Sequence, residues 1–331
     1  KKERCKVKKA LVMVMAGILA VGILTGCTTS AASEEKGIYR IGIVQPMDHP
    51  SLNQIRDTIV KELDAQGLGD KVEISLENAN GDMSLLQTIM QKLVGEGVDM
   101  IVPIATPSAQ AAMSATDTVP IVFSAVSNPV EAGLVKSFSE TTGNITGVSN
   151  SIPVADIFEL SKILTPEAKV FGFIYNSSEI NSVASIEKAK AYCDKNNIAY
   201  KEVSITGTTD LQQAALSLVG EVDAFFTPND NTVASAMATY SQIASDAGIP
   251  IYVGADSMVI DGGLATVGID YTVLGKQTAN MIIRIIDGEK ISKNPVEQIA
   301  DYANIINSDT ADALGIHIPE SIKDNFILIS K

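Results

Sequence analysis

Short apolar runs that stop at small polar residues and pass straight into helical spacing recur along the chain. The plainest is Val98–Met113, VDMIVPIATPSAQAAM. Its run Met100–Ile104 is uninterrupted, as a strand buried on both faces of a parallel sheet requires. Ala105-Thr106-Pro107-Ser108 follows, with the hydroxyl residue and early proline that start helices. The same phrase returns 124 residues later as Val222–Met237, VDAFFTPNDNTVASAM.

The rest of the pattern follows the same alternation. Strands are predicted at Tyr39–Val44, Val72–Leu76 and Pro120–Ala125, with helices over Leu52–Leu63 and Leu85–Val94. The second half repeats this order: strands at Val170–Tyr175, Ala199–Ser204, Ala224–Thr227 and Ile249–Gly254, and helices over Val183–Asn196, Leu211–Val219 and Thr232–Ala247. Ile41-Gly42-Ile43 and Phe171-Gly172-Phe173 lie 130 residues apart, as do Pro120-Ile121-Val122 and Pro250-Ile251-Tyr252. This repeat predicts an α/β protein of two similar lobes, each a β-α-β-α-β-α-β unit on a parallel sheet, rather than one large doubly wound sheet. The tail departs from it. A strand at Leu264–Val267, a helix over Tyr271–Ile286 closed by Gly288, a strand at Tyr302–Asn307 and a short helix over Ala311–Leu314 are expected, with part of this tail crossing back to the first lobe.

The N-terminus belongs to neither lobe. Basic Lys1–Lys9 precedes the apolar stretch Ala10–Leu24, the order of an export signal. That stretch is short for a membrane span, which needs about 20 residues. Leu24-Thr25-Gly26-Cys27 resembles the bacterial lipoprotein box, which implies cleavage before Cys27 and a lipid on its sulfur. Residues 1–26 therefore read as a signal peptide and 27–37, small and polar, as a tether.

Charge and composition remove several function classes. The chain has 331 residues and a net charge of −14; residues 1–26 carry +5, so the remainder carries −19. Such acidity argues against nucleic acid as a partner. Beyond Cys5 and Cys27 the only cysteine is Cys193, so no disulfide framework is available, and two histidines argue against a zinc site. Gln45-Pro46 stands where a glycine-rich dinucleotide loop would follow the first strand. No cofactor is expected.

Several phrases together carry a family resemblance. They are Ile43-Val44-Gln45 with His49-Pro50-Ser51-Leu52, Ile104-Ala105-Thr106-Pro107-Ser108-Ala109-Gln110, and Val122-Phe123-Ser124-Ala125-Val126-Ser127-Asn128-Pro129. The second lobe adds Ile174-Tyr175-Asn176-Ser177-Ser178-Glu179 with Asn181-Ser182, Pro228-Asn229-Asp230-Asn231, and Gly268-Ile269-Asp270-Tyr271 before Leu274-Gly275. Over roughly residues 38–315 the chain resembles the substrate-binding lipoproteins of ABC transporters in the type I periplasmic-binding-protein superfamily. Within it, the chain is similar to the family associated with tryptophan or other aromatic amino acid uptake. The resemblance implies two Rossmann-like lobes joined by three crossings, residues 38–147 plus 269–293 in lobe 1 and 148–268 plus 294–331 in lobe 2. It also implies a ligand clamped between them, permease subunits as partners, and a place outside the cytoplasmic membrane.

Each phrase falls at the C-terminal end of a predicted strand, where open α/β sheets bind ligands. Gln45, His49, Thr106, Ser108, Ser124, Ser127 and Asn128 are candidates from the first lobe, and Asn176, Ser177, Ser178, Asp230, Asn231, Asp256 and Tyr271 from the later segments. Taken singly, each reads equally as turn chemistry or helix capping. Arginine occurs only at positions 4, 40, 56 and 284, outside these loops, so a dianionic ligand lacks its usual partner. Hydroxyls beside helix starts, as at Thr106 and Ser108, suit one carboxylate. Asp48, Glu179, Asp230 and Asp256 offer a partner for an ammonium, Asp230 and Asp256 foremost. Together these describe an amino acid, with Tyr271 and Phe123 available to flank its side chain. The alternatives are a sugar or nucleoside receptor, which the absence of tryptophan disfavours for sugars, a sensor domain, and an exported enzyme using Glu179 or Asp230 as a base.

Overall fold

Two sheets, each covered on both faces by helices, organise the chain. The computed structural model describes residues 37–141, 143–299 and 302–330. The predicted signal peptide, Cys27 and nearly all of the tether lie outside the described residues.

The first sheet has strand order β11-β5-β4-β3-β1-β2. Its strands are β1 (Tyr39–Gln45), β2 (Val72–Asn78), β3 (Met100–Pro103), β4 (Ile121–Ser124), β5 (Ile145–Ser149) and β11 (Glu297–Gln298), all paired in parallel. Every residue of β3, β4 and β5 is buried, which explains their unbroken apolar reading. The intervening helices are α1 (Pro50–Ala65), α2 (Met83–Glu96) and α3 (Thr106–Ala115). The amphipathic spacing of α1 buries Leu52, Ile55, Ile59 and Leu63.

The second sheet has order β13-β12-β10-β9-β8-β6-β7. It repeats the first in β6 (Val170–Asn176), β7 (Ala199–Ile205), β8 (Ala224–Thr227) and β9 (Ile251–Val253). Then come β10 (Ala265–Gly268), an antiparallel β12 (Ala303–Asn307) and β13 (Ile327–Ile329). Its aromatic core includes Phe158, Phe171, Phe173 and Phe226, with ring centroids 5.0 Å apart for Phe158 and Phe171 and 5.2 Å for Phe158 and Phe226. The lone Cys193 is buried there, and burial pushes its thiol up to about 12, so it packs as an apolar residue.

The long helix Tyr271–Ile286 returns to the first sheet. Asp270 caps it, accepting from Thr272 N and Val273 N at 2.8 and 3.0 Å. A buried hydroxyl pair, Ser124 with Thr278 at 2.8 Å, seats it behind β4.

The structure departs from the sequence reading in several places, the short helices Asp256–Ile260 and Glu320–Lys323 among them. Around residues 147 and 148, where the expected lobe bounds put a connection, Ile145–Ser149 is a strand paired with β4, because ITGVS places β-branched residues in a fully buried register. The helix Val154–Leu164 went unread; it buries Val154, Ile157, Phe158, Leu160, Ser161 and Leu164 against the second sheet. The single helix over Thr232–Ala247 is two, Asn231–Ser235 and Met237–Asp246, broken at Ala236, where φ is −120° and its N–H bonds to Val233 O in a tight turn. The short strands β11 and β13 are extra, and β11 joins the first sheet although it follows residue 294. The chain thus changes sheets after Ser149, after Gly268 and after Gln298.

Candidate functional site

The C-terminal ends of both sheets open on one cleft. Two alanines mark the first lobe's edge: Ala105 at the end of β3 has φ +70° and Ala125 at the end of β4 has φ +58°. A Cβ-bearing residue there costs on the order of 1–3 kcal/mol, and such strain concentrates at functional loops. The turn at Ala105 delivers the N-terminus of α3, with Thr106 and Ser108, to the cleft edge.

The cleft has two parts. The outer part is a cavity of about 670 Å³, within the range of small-molecule sites. The first lobe lines it with Met47, Asp48, Met83, Thr106, Pro107 and Gln110, the second with Asn176, Ser178, Glu179, Ile180, Asn181 and Thr232. Behind it lies a polar chamber with room, about 10 Å³, for a single water-sized group. Its walls include His49, Ser51, Ser127 and Asn150 from the first lobe, Asn181, Asn229, Asp230 and Asn231 from the second, and Tyr271. Leu52, Ala125, Ala234, Ala255 and Met258 complete it, and Asn181 borders both parts. Among the described residues, no lysine or arginine lines either part.

Hydrogen bonds tie the lobes together across this space. His49 Nε2 lies 3.3 Å from Asn231 Oδ1, Asn229 Nδ2 donates to Ser127 Oγ at 2.9 Å, and Lys188 Nζ donates to Asn128 Oδ1 at 3.0 Å. The hydroxyls of Ser51 and Ser257 also meet. Because Asn231 Nδ2 is committed to Glu179 Oε2 at 2.6 Å, its Oδ1 accepts, so His49 Nε2 carries the hydrogen and Nδ1 is an acceptor. Burial lowers the imidazole to about 4, so His49 is neutral at pH 7. The Tyr271 hydroxyl sits among Asn150, Ser51 and Asn229, its pKa raised by burial and then by the Asp256 charge.

Six buried polar atoms of these strand-end loops have no protein partner among the described residues: His49 Nδ1, Asn181 Oδ1, Asn229 Oδ1, Asn128 Nδ2, Thr106 Oγ1 and Ser108 Oγ. An unsatisfied buried group costs about 1–3 kcal/mol, so such a concentration marks a binding surface rather than a core.

The carboxylates behave differently from the sequence reading. Asp230, expected to meet an ammonium, accepts from Asn176 N at 2.7 Å and Val233 N at 2.8 Å. It caps the helix Asn231–Ser235 and braces β6, and burial, then the neighbouring Glu179, raises its pKa. Asp256 accepts from Ser257 N at 2.6 Å and lines neither part of the cleft; burial raises it to about 7. Glu179 is the most engaged of the three. Its Oε1 accepts from Thr232 N and Thr232 Oγ1 at 3.0 and 2.8 Å, and its Oε2 from Asn231 N and Asn231 Nδ2 at 3.1 and 2.6 Å.

Of the other sequence candidates, His49, Ser127, Asn231 and Tyr271 face the chamber, and Thr106, Asn176 and Ser178 the outer part. Gln45 is a brace instead, donating to Met47 O, Asp48 Oδ1 and Asn53 Oδ1. Ser124 is spent on Thr278, and Ser177 bonds weakly to Ile205 O at 3.5 Å. Ser108 is fully buried and Asn128 meets Lys188 at the lobe junction. Ser51, Asn150, Asn181 and Asn229 were not singled out. Three of them lie inside the quoted phrases, and Asn150 directly follows the strand that was read as a connection.

Comparison with known proteins agrees with this geometry. Residues 40–325 match the family described as ABC transporter substrate binding protein. A tyrosine-binding protein of Clostridioides difficile (strain R20291) is 39% identical over 320 residues, 93% of each chain. The crystal structure of a Streptococcus pneumoniae ABC domain in complex with L-Trp superposes with a TM-score of 0.86 at 37% identity, covering 89% of this chain and 100% of that one. The ligand-free, open structure of a substrate-binding protein with adhesive properties from Clostridium difficile, at 38% identity and the same coverage, gives 0.69.

Proposed function

Since the chain belongs to the family of ABC transporter substrate-binding proteins and has the type I periplasmic-binding-protein fold, we propose that it captures an aromatic amino acid, tyrosine or tryptophan, between its lobes and presents it to an ABC permease. The observation that carries this reading is the pairing of unsatisfied acceptors at His49, Asn181 and Asn229 with unsatisfied hydroxyls at the start of α3. A zwitterion needs both kinds of partner, and the lack of lysine and arginine in the lining disfavours a dianion. The relative bound to tryptophan and the tyrosine-binding relative support the aromatic side chain, for which Met47, Met83, Pro107 and Ile180 supply apolar surface in the outer part.

The lobes are described in their approached arrangement. Hydrogen bonds span the cleft, and the fit is better to the ligand complex than to the open relative. Binding then proceeds by closure, the ligand stabilising a state in which both lobes touch it. The protein binds without transforming: Glu179 and Asp230, the carboxylates available as bases, are held by helix N–H groups.

The chain contains no tryptophan, so long-wavelength excitation sees only an indole ligand. Titrating the protein into L-tryptophan is expected to shift and saturate the ligand's emission, with L-tyrosine competing. Saturable binding of a sugar, with no response to either amino acid, would overturn the reading. We further propose that Cys27 carries a lipid holding the protein at the outer face of the membrane. Cys27→Ser expressed from the full chain should leave the membrane fraction; a variant that stays there refutes the anchor.

A further inference from the structure

We propose that His49 Nδ1, Asn181 Oδ1 and Asn229 Oδ1 form a cage of neutral acceptors that takes the ligand's primary ammonium group, in place of a carboxylate. This rests on the amino-acid reading above and names the part of the site that tests for an amine.

Three observations converge. The three residues are 6%, 3% and 8% exposed, and none of the three atoms has a protein donor. Their roles as acceptors follow from their neighbours. Asn229 Nδ2 is used by Ser127 Oγ and Asn150 O, Asn181 Nδ2 points to Asn229 O and Glu179 Oε2, and His49 Nε2 is used by Asn231. The chamber that all three residues line admits one water-sized group, which is the size of an ammonium and too small for a carboxylate or a ring.

Donor counting selects among candidates. A phenol brings one donor and water two, whereas a primary ammonium brings three on a compact centre. Charge points the same way. Asp230 borders the chamber, Glu179 lines the outer part and bonds Asn231 of the chamber wall, and among the described residues no cationic side chain lines it. Both carboxylates are consumed as helix caps, so they set the sign of the local field without contacting the amine. His49 belongs to one lobe and the two asparagines to the other, so the cage is complete only when the lobes approach. An amine therefore acts as the latch, and N-acylated or deaminated analogues fail to close it.

The test compares L-tyrosine with 3-(4-hydroxyphenyl)propionate, the same skeleton without the amine, by calorimetric titration of the purified chain. The wild type should prefer tyrosine by about 100-fold or more, the loss expected for several charge-assisted hydrogen bonds. Asn181→Leu, near in size but without the acceptor, should collapse that preference by about tenfold. Asn181→Asp, which keeps an acceptor, should hold it. Melting curves confirm that both variants fold. A wild type that binds tyrosine but shows little preference, or a preference unchanged in Asn181→Leu, overturns the cage and assigns the chamber to a structural water. Binding of neither tyrosine nor tryptophan overturns the amino-acid reading itself and the cage with it.

Discussion

Glu179→Ala lowers the stability of the protein by about 3–5 kcal/mol, the range for breaking a buried charged network. For a chain of this size that is a fall in melting temperature on the order of 10 °C. The side chain is 3% exposed and accepts four hydrogen bonds from two consecutive residues, Asn231 and Thr232. Removing it strands two helix N–H groups, an amide and a hydroxyl. Asn231 then loses the anchor that points its Oδ1 at His49, so one of the bonds between the lobes goes too. Glu179→Gln keeps an oxygen on one side but aims an NH2 at donors on the other, so it should fall between. Thermal melting and tyrosine titration of both variants read this directly. A Glu179→Ala protein that melts with the wild type would show that the carboxylate is replaceable, and the capping role would be wrong.

Gly254→Ala should weaken ligand binding by more than tenfold, with a stability loss of about 1–3 kcal/mol from overpacking. Gly254 follows β9, and a Cβ there would lie 2.5 Å from Asn229 N and 2.9 Å from Pro228 C. Both contacts are backbone, so the loop carrying Asn229 has to move. That loop presents one wall of the inner chamber and the bond to Ser127. Gly95 supplies the control. It lies in α2 with nothing within 4 Å of its Cβ position, so Gly95→Ala should leave binding unchanged and gain up to about 1 kcal/mol of stability. Equal binding by Gly254→Ala and wild type in the same calorimeter would contradict the close-packing argument.

The two-lobed fold was legible because the repeat is local chemistry used twice. β1 and β6 are both seven residues, β2 and β7 likewise, and β3 and β8 both four, each followed by its helix. The helix Val154–Leu164 and the strand Ile145–Ser149 escaped because they sit where the repeat changes lobe, with no earlier copy to compare. The site was legible as a set of loops, not as a set of contacts. Asp230 and Glu179 are both acidic residues after buried strands. Only the three-dimensional placement reveals that each faces backbone N–H groups 52 to 54 residues away or just ahead. Asn181 and Asn229 read as turn residues for the same reason: an asparagine's unused oxygen is a property of its neighbours across the fold.

The chain changes sheets three times, and residues flanking these passages meet. Tyr302 OH donates to Ser151 O at 3.2 Å, the Tyr271 hydroxyl adjoins Asn150, and Ala255 bridges to Ile269. Two bodies joined along one line rotate about that line more readily than they slide or twist. Such a molecule works as a caliper: whatever lies in its jaws is converted into the spacing between two distant rims. The permease proposed above, gripping one rim on each lobe, would then measure occupancy without ever touching the cargo.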